Sequence, residues 1–480
     1  MRLTRGKSLS AVVLCAATVL AVSGGLAAPA SAAAAAPRSD FNGDGFADLA
    51  VGVPDATVGG RTEAGYVNVV WGGTGGLGKH GSTTLSQNSA GIPGTSEAGD
   101  AFGRSVQTAD LNGDGYSDLA VSAPAETLDV PGQAREGAVY VLWGSASGLK
   151  SGSTVAKGDH ADENLGAALT SGNYDHDGHQ DLALTAHSDE SRAVMEAPGP
   201  FTTGAVPPLS KITSWHFAGP NALASGDLNG DGTDDLALTY SGMETQGTEV
   251  HSKASGTWAT RWSAPDTGSA LAIGDFDADG AKDLAIGLVR PNPEADTTYC
   301  ADLTGGAIAL VLGAKGTTLG GATGCTTQST PGVGGTAEPE DDFGASLATV
   351  SDSVHDGYDA LLAGTPHEAV GTAKAGGSFT YLEATGTHFV GGAITQNSSQ
   401  VAGTAEAGDL FGAAVAAGDY DGDQYTDAAT GAPGENSHSG GIWYRETDEE
   451  PPFPDTVAVT PSKLGLAGAV SYGAVLGRQN

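Results

Sequence analysis

The chain has 480 residues and a net charge of −36, with 39% of its residues hydrophobic and only 16% charged. Such an acidic balance argues against nucleic acid or an anionic membrane surface as a partner. The 75 glycines follow no collagen-like period and helical periodicity is scarce, so many tight turns between short strands, an all-β chain, and either several domains or a repeat array are expected.

Residues 1 to 32 read as a removable secretion signal. Arg2, Arg5 and Lys7 form the basic start, "AVVLCAATVLAV" the apolar stretch, and "ASA" ending at Ala32 the small-residue cleavage site. A membrane anchor is the alternative, but the run is shorter than the ~20 apolar residues a spanning helix needs. Leu14 before Cys15 is not the small residue expected ahead of a lipidated cysteine. The expectation is a secreted, extracellular, monomeric protein with no membrane insertion. Loss of the signal removes three positive charges and no negative ones, taking the net from −36 to −39. Residues 33 to 39 are then a short linker, too short to hold a catalytic domain.

At residue 40 comes "DFNGDGFADLA", and the pattern returns as "DLNGDGYSDLA" at 110, "NYDHDGHQDLA" at 173, "DLNGDGTDDLA" at 227, "DFDADGAKDLA" at 275 and "DYDGDQYTDAA" at 419, with a worn copy over 351 to 364. Six intervals between Asp40 and Asp419 give a period of roughly 63 residues, which points to stacked or radially arranged units. Each copy has company. Phe102-Gly103, Leu165-Gly166, Phe343-Gly344 and Phe411-Gly412 lie upstream; "VGVP" at 51, "VSAP" at 121, "AGTP" at 363 and "TGAP" at 430 lie downstream. Glycine-bounded apolar runs come next, such as "GYVNVVWG" at 65, "GAVYVLWG" at 137, "GGAIALVLG" at 305, "GGSFTYLE" at 376 and "GGIWYRE" at 440, and these read as short strands. Strand, acidic loop, strand, turn, strand and a less regular outer strand make four strands per unit, the content of a β-propeller blade.

"FG", then "D-x-N-G-D-G-x-x-D-L", then "G-A-P" resembles the FG-GAP repeat of integrin α heads and of many secreted bacterial proteins. The resemblance runs over residues 40 to 480. It implies a seven-bladed β-propeller of four-stranded blades, matching the seven copies in this chain. The first acidic loop has no "FG" strand before it, whereas the C-terminal "YGAVLG" has the pattern of "FGAAVA" at 411. The C-terminal strand is therefore expected to complete the first blade and close the ring, with "ETDEEPPFPD" at 446 to 455 a solvated loop leading to it.

The acidic loops are expected to hold about six structural Ca²⁺ ions. Positions 1, 3, 5 and 9 of the loop offer side-chain oxygens and position 7 a backbone carbonyl, while glycine at position 6 permits the sharp bend. The ligand sets are Asp40, Asn42, Asp44, Phe46 and Asp48; Asp110, Asn112, Asp114, Tyr116 and Asp118; Asn173, Asp175, Asp177, His179 and Asp181; Asp227, Asn229, Asp231, Thr233 and Asp235; Asp275, Asp277, Asp279, Ala281 and Asp283; and Asp419, Asp421, Asp423, Tyr425 and Asp427. Hard oxygen donors with no His or Cys at ligand spacing favour calcium over zinc or iron. A helical calcium sensor needs an acidic twelfth residue, but Val51, Val121, Leu184, Leu238, Ile286 and Thr430 stand there. An Asx-rich turn without an ion is the alternative, though turns alone need far fewer carboxylates. Gln424 replaces the position-6 glycine in the last loop, and the worn copy near 352 has lost its spacing. Cys300 and Cys325 are expected to pair in an oxidising compartment, two free buried thiols being the alternative.

No catalytic constellation stands out. Ser96 in "GTSEAGD" lies in a loop that recurs as "GTAEAGD" at 403 and "GTAEPED" at 336, and no HExxH motif occurs. "KGD" at 157 to 159, for all its likeness to integrin-ligand tripeptides, reads as chance. The favoured reading is a non-enzymatic, adhesion-type module binding an extracellular protein or glycan. The resemblance to integrin heads puts the aspartate loops on the face away from the ligand. The recognition surface then falls on loops 92 to 102, 332 to 342 and 401 to 410, with irregular inserts at 188 to 220 and 241 to 268. In those inserts Trp215, Trp258 and Trp262 either stack on sugars or pack between blades. The alternative is an extracellular hydrolase or lyase acting on a polymer at the central channel, which requires carboxylates or histidines converging there.

Overall fold

The computed structural model describes residues 39–478, apart from 129–133, 188–190, 217, 243–244, 255, 266–267, 290–298, 302, 317–318, 321, 352–356, 447–455 and 467–469. The expected signal segment, most of the expected linker, five residues of the worn loop and most of the acidic stretch after 446 thus lie outside the described residues.

Among the described residues the strands form seven antiparallel sheets of four strands each. Blade 1 consists of Leu49–Val53, Tyr66–Val70 and Ser82–Leu85, with Val475–Leu476 as its innermost strand. Blade 2 runs Val106–Ala109, Asp118–Ala123, Ala138–Trp143 and Ser151–Lys157 from the inside outwards. Blade 3 is Leu169–Gly172, Asp181–His187, Ser191–Ala197 and Ser210–His216. Blade 4 is Ala218–Gly226, Asp235–Gly242, Gln246–Ala254 and Thr257–Ala264. Blades 5 and 6 begin at Ala270–Gly274 and Ser346–Val350, and blade 7 runs from Ala414–Gly418 to Val457–Val459. The fold is a seven-bladed β-propeller. Val51 pairs with Leu476 and Gly52 with Val475, so the C-terminal strand closes the ring.

The core is not one mass but a layer between each pair of neighbouring blades. Val51 and Val53 of blade 1 share such a layer with Tyr420, Ile442 and Tyr444 of blade 7, and Tyr472 lies among them fully buried. In blades 1, 2 and 5 the second and third strands are covered on both faces and read as largely apolar runs, as in "LAVGV" and "AVYVLW". Outermost strands are covered on one face only, which explains a correction. The segments expected to be irregular inserts contain the third and outer strands of blades 3 and 4, and "SKITSWH" hides only Ile212 fully. A half-exposed strand shows no aliphatic run to mark it.

The repeated glycines work between blades. Gly52, Gly287, Gly364 and Gly431 sit in the segment after the loop, and Gly103, Gly344, Gly412 and Gly473 come after the aromatic residue of the next blade. A Cβ on Gly431 would lie 1.8 Å from the carbonyl oxygen of Gly473, and one on Gly364 would lie 1.9 Å from that of Gly412. The two backbones touch because neither carries a side chain. Phe411 beside Gly412 is fully buried, with ring centroids 5.7 Å from Phe379 and 5.4 Å from Trp443. Gly431→Ala is expected to cost about 3 kcal/mol, the upper range for overpacking a closed contact, measured by denaturant unfolding.

Cys300 and Cys325 are joined in blade 5 with Cα atoms 5.6 Å apart, closing 25 residues of sequence. Removing the crosslink by a double alanine substitution is expected to lower the unfolding free energy by about 3 kcal/mol on chain-entropy grounds, read from urea titrations of both proteins.

Candidate metal centres

In blades 2 to 5 and 7 the acidic loop is the hairpin between the first and second strands, and in blade 1, whose first strand comes from the C-terminus, it leads into the second strand at the same end, so all gather at one end of the disc. The first residue organises the loop. Asp40 Oδ1 accepts from the backbone N–H groups of Asn42, Gly43 and Asp44 at 3.3, 2.6 and 3.2 Å, and its Oδ2 accepts from Gly45 at 2.9 Å. Asp110 repeats this with Gly113, Asp114 and Gly115, and Asp419 with Gly422, Asp423 and Gln424. Position 6 needs a positive φ, which is +92° at Gly45 and +77° at Gln424. Gln424 takes the glycine conformation at a cost of roughly 1–2 kcal/mol and keeps the loop's shape.

The ninth residue has a second task that its spacing does not reveal. Asp48 is buried; its Oδ2 accepts from the N–H of Phe41 at 3.0 Å and its Oδ1 from the N–H of Gly72, at the end of the third strand, at 3.0 Å. Asp118 bridges Leu111 and Gly144, Asp181 bridges Tyr174 and Gly199, and Asp283 bridges Phe276 and Gly313. In blades 4 and 7 the second donor is the Ser252 or Tyr444 hydroxyl, to Asp235 and Asp427. The ninth aspartate therefore clamps the loop to its own blade and retains lone pairs for a cation.

Loops also join around the ring. The N–H of the eighth residue donates to the first residue's carbonyl in the preceding blade: Ala47 to Asp419 at 2.8 Å, Ser117 to Asp40 at 3.0 Å, Asp234 to Asn173 at 3.0 Å and Lys282 to Asp227 at 3.0 Å. The seventh side chain packs there as well, since a Cβ on Gly43 would come 2.5 Å from the Tyr116 ring and one on Gly422 would come 2.6 Å from Phe46. In the worn copy Asp359 takes the eighth place, donating to the carbonyl of Asp275 at 2.8 Å, and its carboxylate accepts from Lys282 Nζ at 3.0 Å. Ala360 then opens the next strand where the other blades place aspartate.

The donors suit a hard cation. Carboxylate oxygens of Asp275, Asp277 and Asp279 lie within 4.8 Å of one another, as do those of Asp419, Asp421 and Asp427. The buried Oδ1 of Asn173, first in its loop, has no hydrogen-bond partner. Crowding and burial disfavour bare negative charge. Burial above all, with the charges of Asp40 and Asp44, pushes the Asp48 carboxyl up to about 7 against the N–H bonds that lower it. Burial likewise pushes Asp118, Asp235 and Asp283 up to about 7 and Asp181 to about 6. These residues fit calcium: all six sets present oxygens only, and a bound Ca²⁺ supplies two positive charges among them.

The family model of the FG-GAP repeat matches residues 32–70, 102–142, 219–249 and 411–444. The chain carries FG-GAP repeats. Phosphatidylinositol-glycan-specific phospholipase D of Mus musculus is 35% identical over 151 residues, covering 31% of this FG-GAP chain and 17% of the phospholipase. Integrin alpha-PS5 of Drosophila melanogaster is 30% identical over 171 residues, 31% of this chain and 16% of the integrin. The FG-GAP chain thus spans about a sixth of the length of the curated relatives it matches. Among solved structures, Bacillus licheniformis rhamnogalacturonan lyase PL11 aligns with a TM-score of 0.31 and 12% identity over 63% of this chain and 61% of that one, too slight a likeness to bear on this protein.

The tryptophans of the outer strands are half-buried. Trp215 stacks on Tyr240 at 4.7 Å, Trp262 on Tyr299 at 6.1 Å, and Trp258 meets Tyr174 edge-on at 5.1 Å while donating to Glu196 at 2.8 Å. Each of the three packs against an aromatic ring of a neighbouring blade. Ser96 is buried too, its N–H held by Asn88 Oδ1 at 3.2 Å.

Proposed function

We propose that this FG-GAP propeller is a calcium-stiffened extracellular binding module for a protein or glycan, with the aspartate loops serving structure. The observation that carries the reading is the linkage of those loops into their blades and around the ring, which makes a bound ion a stiffener of the disc. Recognition falls to the opposite end, on loops 92 to 102, 332 to 342 and 401 to 410, where Glu97, Glu338 and Glu406 are exposed. The axial cavity supports binding over cleavage: it is lined by first-strand residues such as Leu223, Ile273, Thr349 and Val415, and Arg478 is the one ionisable side chain among the described residues lining it. Among the described residues no helix is long and apolar enough to cross a membrane.

The test is a glycan array and an extracellular-protein pull-down using purified full-length chain, in calcium and in chelator. Capture in calcium that disappears on exchanging the exposed residues of those three loops supports the reading. Turnover of a polysaccharide or peptide that copurifies with the folded chain overturns it in favour of the enzyme.

A further inference from the structure

In an antiparallel four-stranded blade, the loop between second and third strands and the connection to the next blade both lie at the end opposite the first hairpin. At three junctions these segments bring the same side chains together. The sequence shows "TQ" or "SQ" at the end of the outer strand, then "GT-S/A-E-x-x-D-x-F/L" leading to the next blade, then "P-x-E" after its second strand. Between blades 1 and 2 these residues are Gln87, Asp100 and Glu126; between 5 and 6, Gln328, Asp341 and Glu368; between 6 and 7, Gln396, Asp409 and Glu435.

The three clusters share one geometry. The glutamine Nε2 donates to the glutamate Oε2 in each, at 2.7 Å for Gln396 and Glu435. Aspartate is locked beside glutamate by its own backbone, its carbonyl accepting from the residue before the glutamate: Ala125 at 3.3 Å, His367 at 3.2 Å and Gly434 at 3.0 Å. Its Oδ2 accepts from the N–H of Glu97, Glu338 or Glu406, each at 2.6 Å. Among the described residues none of the six carboxylates has a lysine, arginine or histidine within ion-pair distance.

A second observation is independent of the acids. The glutamine Oε1 has no hydrogen-bond partner in any of the three clusters, although Gln87, Gln328 and Gln396 are exposed by only 3%, 3% and 1%. An amide whose nitrogen is committed to the glutamate and whose oxygen is buried unpaired is costly unless something positive meets it. At the junction between blades 2 and 3 only the acid remains, as Glu163, whose Oε2 accepts from the N–H of Asp159 at 2.6 Å. At the closing junction Ala56 stands in the glutamate's place, and the connection "TPSKLGLAGAVSYG" carries neither glutamine nor aspartate.

We propose that the face opposite the aspartate loops carries three divalent-cation sites of its own, Gln87–Glu126–Asp100, Gln328–Glu368–Asp341 and Gln396–Glu435–Asp409, each pinning one blade to the next. An amide oxygen and two carboxylates are hard donors of the kind calcium and manganese take. This assignment does not depend on whether the aspartate loops bind ions.

The test uses full-length protein crystallised with manganese, whose anomalous signal locates ions by position and so separates these sites from the loops. Peaks at the three junctions are expected, and their absence from all three overturns the proposal. In solution, the isosteric triple variant E126Q/E368Q/E435Q is expected to bind three fewer calcium ions per chain than the unaltered protein by metal analysis after equilibrium dialysis. An unchanged count overturns it. Should the variant fail to fold, the manganese map of the unaltered protein decides alone.

Discussion

Stripped of divalent cations by chelator, the protein is expected to melt roughly 4–12 °C below its temperature in about 2 mM calcium. Extracellular calcium modules bind at about 10⁻⁴–10⁻³ M. Mass action then gives about 0.6–1.8 kcal/mol per site, or ~4–11 kcal/mol for six sites. At about 2.1 cal/mol/K per residue over roughly 440 residues, each kcal/mol moves the midpoint by about 1 °C. The pH dependence has a definite sign. Asp48, Asp118, Asp235 and Asp283 sit near 7 in the metal-free fold, against about 4 in an unfolded chain. The fold holds those protons more tightly, so their contribution is complete below about pH 4 and is lost as pH rises through 7. In chelator the protein should melt higher at pH 5 than at pH 8. Calcium should restore most at pH 8, where the carboxylates are free to take it. Calorimetry at both pH values, with and without calcium, checks this; identical melting in chelator and calcium at pH 8 would refute the calcium account.

The parts of this fold that were legible in the sequence are those fixed by near neighbours. Oxygens at alternate places of "DFNGDGFAD" and the bend at Gly45 are local facts, and the steady return of the pattern gave the blade count. Closure was legible because "SYGAVLG" at the C-terminus supplies the aromatic-glycine pair missing before Asp40. What was hidden depends on residues brought together from different blades. Nothing in the spacing says that Asp48 bonds the N–H of Gly72, 24 residues on, or that Gly431 touches Gly473. The outer strands of blades 3 and 4 were hidden by their one wet face. Trp258 gave no sign that it would end against Tyr174 and Glu196. The glutamine–glutamate clusters were written in the repeats, but their members lie 39 or 40 residues apart and signify little until the blades stand side by side.

Deleting residues 470 to 480 is expected to destabilise the chain more than any single substitution. The deletion removes Tyr472 and Leu476, both buried, at ~2–3 kcal/mol each for lost apolar burial. It also removes the N–H of Gly477 from the carbonyl of Ala50 at 2.8 Å and the carbonyl of Arg478 from the Thr108 hydroxyl at 2.8 Å. Asn68 Oδ1 loses its bond from the Tyr472 hydroxyl, 2.8 Å long, and is left buried with an unmet acceptor at about 1–3 kcal/mol. The total is roughly 5–9 kcal/mol, or about 5–9 °C by the same per-residue entropy. The greater consequence is topological: Leu49–Val53 becomes an open edge, and open edges recruit other chains. The truncated protein should therefore lose solubility on warming before it unfolds fully. Tyr472→Phe separates the two effects, since it removes only the hydroxyl bond and should cost about 1–3 kcal/mol without opening an edge. A synthetic peptide of residues 470 to 480 added in trans should recover part of the lost melting temperature by filling the vacant strand. A truncated chain that melts and stays soluble like the intact one would mean that six complete blades hold the seventh without its inner strand.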